Sequence, residues 1–227
     1  MRRTLGRSGI EVSALGMGCW AIGGPCWIGE TPIGWGEVDD EESIRAIHAA
    51  MELGVSFFDT ANVYGAGHSE RVLGRAIAGR RADVVVATKF NAVFDETTLQ
   101  VTGSDASPEG IRRACEDSLR RLGTNCIDLY QFHDNGYPAG EAVPVRETLE
   151  ALIEEGKIRA YGWSTDFPDR AEVFAEGANC TAIQLQLNVL DSEVLKRAQR
   201  HPEEYRALSV RVVGYSAYFV TLTREVQ

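Results

Sequence analysis

Four side chains in this sequence have the types and the order that proton transfer to an oxygen requires. They are the carboxylate of Asp59, the phenol of Tyr64, the ammonium of Lys89 and the imidazole of His133. Asp59 and Tyr64 stand five residues apart in Phe57-Phe58-Asp59-Thr60-Ala61-Asn62-Val63-Tyr64-Gly65. Lys89 ends the run Val84-Val85-Val86-Ala87-Thr88-Lys89, and His133 ends Asp128-Leu129-Tyr130-Gln131-Phe132-His133. An isolated phenol loses its proton at a pH of about 10, too high for efficient donation near neutrality. An ammonium beside it stabilises the phenolate and makes the phenol a better acid. A carboxylate next to the lysine keeps it charged and in place, and an imidazole orients a carbonyl oxygen or joins the proton relay. Such a set suits delivery of a proton to a carbonyl oxygen while hydride reaches the carbon. A structural ion pair between Asp59 and Lys89, and a core role for His133, are the competing readings. Convergence of all four groups on one face separates them.

The elements that must position these groups follow from the hydrophobic pattern. Short apolar runs alternate with longer amphipathic ones, the signature of βα units and a parallel sheet. Thr4 to Leu15 reads as a small hairpin plugging one end of a barrel. Strands are expected at Ala14–Met17, Val55–Asp59, Val84–Lys89, Ile127–Phe132, Ile158–Ser164, Ala182–Leu187 and Val210–Tyr215. Helices are expected over about Glu41–Leu53 with Asp40 as cap, Ser69–Ile77, from Pro108 to Leu122 with Ser107 as cap and Gly123 as stop, Val145–Glu155, from Pro168, and from about Asp191. Active groups in such barrels stand at the C-terminal ends of strands, where Asp59, Lys89 and His133 fall. An eighth parallel strand needs a crossover of about a dozen residues first. Only Ser216 to Gln227 remain, so closure by the usual route is not expected, and open edges would invite pairing with another chain. Dimerisation, or Phe219 to Leu222 folding back over an edge, would relieve that.

Composition narrows the function classes. The 227 residues suit one barrel domain, which typically takes about 250. A net charge of −10 argues against nucleic acid or an anionic membrane as partner. No run approaches the roughly 18 apolar residues of a membrane span, and the start Met1-Arg2-Arg3-Thr4 has no apolar stretch behind it. Five cysteines with no CxxC pair read as reduced thiols in a cytoplasmic protein. His133 and Asp134 lack a second histidine or cysteine at ligand spacing, so no metal is expected. Arg112-Arg113 and Arg120-Arg121 read as the solvated face of the third helix, His68 as a loop residue, His48 as a helix-face residue and His201 as exposed. No GxGxxG follows the first strand, which excludes a Rossmann cofactor site.

The segments 54–65, 84–90 and 128–133 together resemble the catalytic-tetrad segments of the aldo-keto reductases, over about residues 3 to 190. The resemblance implies an α/β fold, a TIM (β/α)8-type barrel with an N-terminal β-hairpin, incomplete after its seventh strand. It forms a single domain over 1–227, with 192–227 divergent. It implies Tyr64 as general acid and base, Lys89 as its tuner, Asp59 as partner of Lys89 and His133 as carbonyl orienter. Gly162-Trp163-Ser164-Thr165 resembles the segment whose serine holds the nicotinamide carboxamide, with Thr165 in place of the family's asparagine. Gln184 matches the glutamine that shares that task. Gly214-Tyr215-Ser216 resembles the end of the seventh strand, where a tyrosine stacks under the nicotinamide. Ala217 to Val220 replace the family's proline and glycine-rich continuation, and the basic segment for the adenosine 2′-phosphate has no counterpart. By family habit the cofactor is NADPH rather than NADH. Trp20 would form part of an apolar wall for the carbonyl substrate, with Trp27 as a second substrate contact; the following loop, which also holds Trp35, would supply selectivity. The implied activity is reduction of an aldehyde or ketone to an alcohol. A binding subunit, like the potassium-channel β subunits of this family, or an inactive shortened relative are the other classes.

Overall fold

The computed structural model describes residues 2–186, 197, 200, 201, 208–212 and 215–218, with the backbone alone described at 168, 169, 186, 208–212 and 215–218. Strands β1 (Arg2–Thr4) and β2 (Glu11–Ser13) pair antiparallel as the expected hairpin. Its apolar side chains Leu5, Ile10 and Val12 pack with Phe57, Val85, Leu129, Ala160 and Ala182 from the barrel interior. Burial of that surface seats the plug at the end where the strands begin.

There follow β3 (Leu15–Gly18), β4 (Trp27–Ile28), β5 (Thr31–Pro32), α1 (Asp40–Glu52), β6 (Phe57–Asp59), α2 (His68–Ala76) and β7 (Val85–Phe90). The chain continues through β8 (Ala92–Asp95), β9 (Gln100–Ser104), α3 (Pro108–Leu122), β10 (Ile127–His133), α4 (Val143–Glu154), β11 (Ile158–Ser164), α5 (Pro168–Ala175), β12 (Cys180–Gln186), β13 (Leu208–Val212) and β14 (Tyr215–Tyr218). The helix ends are set locally. Asp39, still extended, accepts from the Glu42 amide at 3.0 Å and caps α1, one residue before the expected cap, because Asp40 already lies in the helix. Ser107 caps α3, Pro108 opens it, and Gly123 at φ +64 ends it.

Strands β3, β6, β7, β10, β11, β12 and β13 run parallel to their neighbours in a closed ring. The eighth place is taken by β14, antiparallel to both β13 and β3. The barrel was expected to stay open there, with one strand over Val210–Tyr215. Instead β13 stops at Val212 and a second short strand pairs both edges. Unpaired edge amides and carbonyls favour this, since each buried one left unmade is costly. The helix expected near Asp191 and the segment Phe219–Leu222 lie outside the described residues.

One layer was not anticipated: β5, β4, β9 and β8 form a small separate sheet that joins the loop after β3 to the loop after β7. Between barrel and helices lies the main core, with Ile111, Cys115, Leu119 and Leu122 of α3 buried as their spacing predicts. No described helix is long and apolar enough to cross a membrane.

Candidate active site

The ends of β6 and β7 are extended past their ladders by main-chain bonds. Thr60 N donates to Ala87 O at 2.8 Å and Asn62 N donates to Lys89 O at 3.1 Å. The end of β3 is tied in by Cys19 N to Asp59 O at 2.8 Å and by the Ser69 hydroxyl to Cys19 O at 2.7 Å. Tyr64 then sits in a series of tight turns before α2, where Gly65, Ala66 and Gly67 all have positive φ. A Cβ on Gly65 would collide with the Gly23 carbonyl, so only glycine lets the loop carrying Trp20 close over Tyr64.

Within this frame Lys89 Nζ is the hub. It donates to Asp59 Oδ1 at 2.9 Å and Oδ2 at 3.0 Å, to Thr60 O at 2.8 Å, and to the Tyr64 hydroxyl at 3.4 Å. Lys89 and Asp59 are both fully buried, and Tyr64 is 5% exposed. A buried pair of this kind holds only if its remaining valences are met. Gln131 and Gln184 meet them, each donating from Nε2 to Asp59, at 3.4 Å and 3.1 Å. The His133 ring meets the Tyr64 ring edge-on with centroids 6.3 Å apart. All four residues singled out from sequence are thus gathered at one barrel rim. The two glutamines behind the carboxylate are an addition, for which Gln184 had been assigned only a cofactor role.

Ser164 and Gln184 lie in register on adjacent strands, and Ser164 pairs with His133 on the other side. The Oε1 of Gln184 is buried without a hydrogen-bond partner. A row of hydroxyl and amide acceptor beside Asp59, Tyr64 and Lys89 fits a carboxamide, so the residues present suit the nicotinamide end of a dinucleotide. Tyr215 and Ser216 fall on β14, antiparallel rather than at the end of a seventh parallel strand, and their side chains lie outside the described residues.

Trp20 stacks on Tyr64 at 6.0 Å between ring centroids, and Trp35 packs edge-on against Trp20 at 5.5 Å. The Trp20 indole donates to Ile33 O at 3.1 Å. Trp27 stands on β4, paired with Pro32 and Gln100 in the small sheet. The tryptophan that extends the aromatic wall is therefore Trp35. Arg121 also departs from expectation. Its side chain is 9% exposed and its Nε donates to the buried Glu70 at 2.7 Å. Thr88 Oγ1 donates to the other Glu70 oxygen at 2.5 Å, directly beside Lys89 in the chain. Burial alone would lower the Arg121 pKa, but the carboxylates of Glu70, Glu96 and Asp117, Glu70 foremost, together hold the value above the ordinary one. Among the described residues no group of three or more His, Cys, Asp or Glu side chains could hold a metal ion.

The family model for the Aldo/keto reductase family matches residues 14–220. The chain is 38% identical over 192 residues to Aldo-keto reductase YhdN of Bacillus subtilis, covering 82% of this chain and 54% of that relative. It is 31% identical over 207 residues to the Uncharacterized oxidoreductase YqkF of the same organism, covering 91% of this chain and 60% of the relative. Among solved structures, the holo form of aldo-keto reductase AKR11C1 from Bacillus halodurans superposes with a TM-score of 0.74 at 33% identity, over 92% of this chain and 64% of that one. An aldo/keto reductase from Klebsiella pneumoniae in complex with NADP and acetate matches with a TM-score of 0.63 at 28% identity, over 89% of this chain and 64% of that one. The chain belongs to the aldo/keto reductase family, oxidoreductases on a TIM-type barrel. It spans between half and two thirds of the length of these relatives.

Proposed function

We propose that this protein reduces an aldehyde or ketone to an alcohol, with NADPH as the reductant and Tyr64 as the general acid. The observation that carries this reading is the Lys89 ammonium, bonded at once to the Asp59 carboxylate and to the Tyr64 hydroxyl. An ammonium donating to a phenol oxygen stabilises the phenolate left when the proton departs. Asp59, Gln131 and Gln184 hold Lys89 in that geometry. The carbonyl oxygen would lie between the Tyr64 hydroxyl and His133, whose ring orients it. Trp20 and Trp35 would exclude water and favour a flat, apolar substituent on the carbonyl. When bound, the dinucleotide supplies hydride to the carbonyl carbon, and Ser164 and Gln184 would hold its carboxamide. Support for NADPH comes from the Klebsiella pneumoniae relative, solved with NADP.

The test is stoichiometric. Purified protein is mixed with NADPH and 4-nitrobenzaldehyde, and NADPH loss is compared with 4-nitrobenzyl alcohol formed. The reading expects one alcohol per NADPH consumed. NADPH that quenches or enhances the protein fluorescence on binding but is never consumed would leave a binding protein instead.

A further inference from the structure

We infer that Asn91 is a positioning residue for His133, acting through Asp134; this rests on the reading of His133 as the carbonyl orienter. The parallel ladder between β7 and β10 ends at Phe90 and Phe132. Beyond that last pair β7 leads into Asn91 and β10 into His133 and Asp134, outside the paired register. A side-chain bond replaces it: Asn91 Nδ2 donates to Asp134 Oδ2 at 2.9 Å. Asp134 follows His133 directly and is fixed twice more. Its Oδ1 accepts from Gly136 N at 2.7 Å, and its carbonyl accepts from the Trp163 indole at 2.9 Å. On the β11 side His133 is still in register with Ser164. The Asn91 bond is therefore the clamp on the β7 side.

Two features of Asn91 say that its side chain is kept for this contact. Its backbone φ is +113°, a region where any residue but glycine is strained. It is 5% exposed, and its Oδ1 is buried without a hydrogen-bond partner. Glycine would relieve the backbone and bury no orphan oxygen. Packing and backbone conformation alone thus favour glycine, while an amide donor aimed at Asp134 is what glycine lacks.

The experiment compares wild type with Asn91→Gly, Asn91→Asp and the exchanged pair Asn91→Asp/Asp134→Asn. Asn91→Asp sets two carboxylates against each other, and the exchanged pair restores a donor and an acceptor in swapped order. The readouts are kcat on 4-nitrobenzaldehyde, the NADPH Kd by fluorescence, and the NMR resonance of the His133 ring, assigned by its loss in His133→Asn. Asn91→Gly is expected to fold at least as stably as wild type and to bind NADPH unchanged. Its kcat should fall by about tenfold or more, since small displacements of an orienting group cost that much. Its His133 resonance should move. Asn91→Asp should be slower than wild type, and the exchanged pair should return to within about threefold of it. A wild-type kcat or an unmoved His133 resonance in Asn91→Gly overturns the inference, as does an exchanged pair no faster than Asn91→Asp. A wild type that binds NADPH without turnover removes the proposed reaction, and the His133 resonance then decides the clamp by itself.

Discussion

At the scale of single residues, the site is a buried charge pair with a phenol attached. Lys89 and Asp59 have no exposed surface, so each neutralises what would otherwise be a costly buried charge. Lys89→Met keeps the volume and removes the cation. The Asp59 carboxylate is then left uncompensated, and stability should fall by about 3–5 kcal/mol, read from urea unfolding. A loss below about 1 kcal/mol, the range of surface pairs, would contradict the burial of this pair. A second residue-scale expectation concerns Cys115 on the inner face of α3. Burial pushes its thiol up from 9.0 to about 12. The folded chain therefore holds this proton to higher pH than the unfolded chain. Stability from this group is fully present below about pH 9 and declines as pH rises toward about 12. Melting temperature measured across pH 8 to 10.5 should therefore drop more steeply in wild type than in Cys115→Ala, and equal slopes would reject the assignment. The gathering of Asp59, Lys89 and His133 was legible because each ends an apolar run, and strand ends are where barrels place chemistry; Tyr64 was marked only by its five-residue step from Asp59. Arg121 was not. Its partner Glu70 is 51 residues away, and nothing local marks an arginine in an Arg-Arg pair as buried.

At the scale of elements, the loop between β6 and α2 decides where the phenol stands. Gly65 packs against the Gly23 backbone at φ +61. Gly65→Ala adds a left-handed alanine, worth about 1–2 kcal/mol by itself, and a collision with backbone that cannot rotate away. The variant should lose stability by more than that and lose turnover through displaced Tyr64. A variant as stable and as fast as wild type would mean that the loops are not held by this contact. The barrel strands from β3 to β12 and the helices α1 to α4 were legible to within about two residues, because β-branched runs and capping residues mark them; the strand expected over Val210–Tyr215 is instead two antiparallel strands, β13 and β14. The β8–β9 hairpin was missed. A local signal does exist there: Asp95 Oδ1 accepts from the amides of Thr97 at 2.7 Å and Thr98 at 2.9 Å. That Asx turn, between the short runs Ala92–Phe94 and Gln100–Thr102, is hairpin chemistry. The runs were too short to stand out by alternation. Trp27 rather than Trp35 is expected beside Trp20 for the same reason, since the small sheet that holds Trp27 in its ladder is a product of pairing across sequence.

At the scale of the whole molecule, the question is how a barrel with seven parallel strands closes. In the described residues the eighth place goes to β14, antiparallel to both its neighbours. A short antiparallel strand needs no crossover, only edges that gain from being paired. Ending the chain after Val212 removes β14 and exposes the edges of β3 and β13. The shortened protein should self-associate, seen as a larger mass by light scattering after size-exclusion chromatography. A shortened protein that stays at the parent's oligomeric state would show that β14 does not seal the ring.

The central claim is that the Tyr64 hydroxyl supplies the proton. Its most direct measurement is the turnover of 4-nitrobenzaldehyde by Tyr64→Phe beside wild type, with NADPH affinity measured in parallel. The substitution removes one oxygen and leaves the ring against Trp20. The account predicts that kcat falls by about a hundredfold or more while NADPH affinity holds. A Tyr64→Phe protein that reduces the aldehyde as fast as wild type would contradict it.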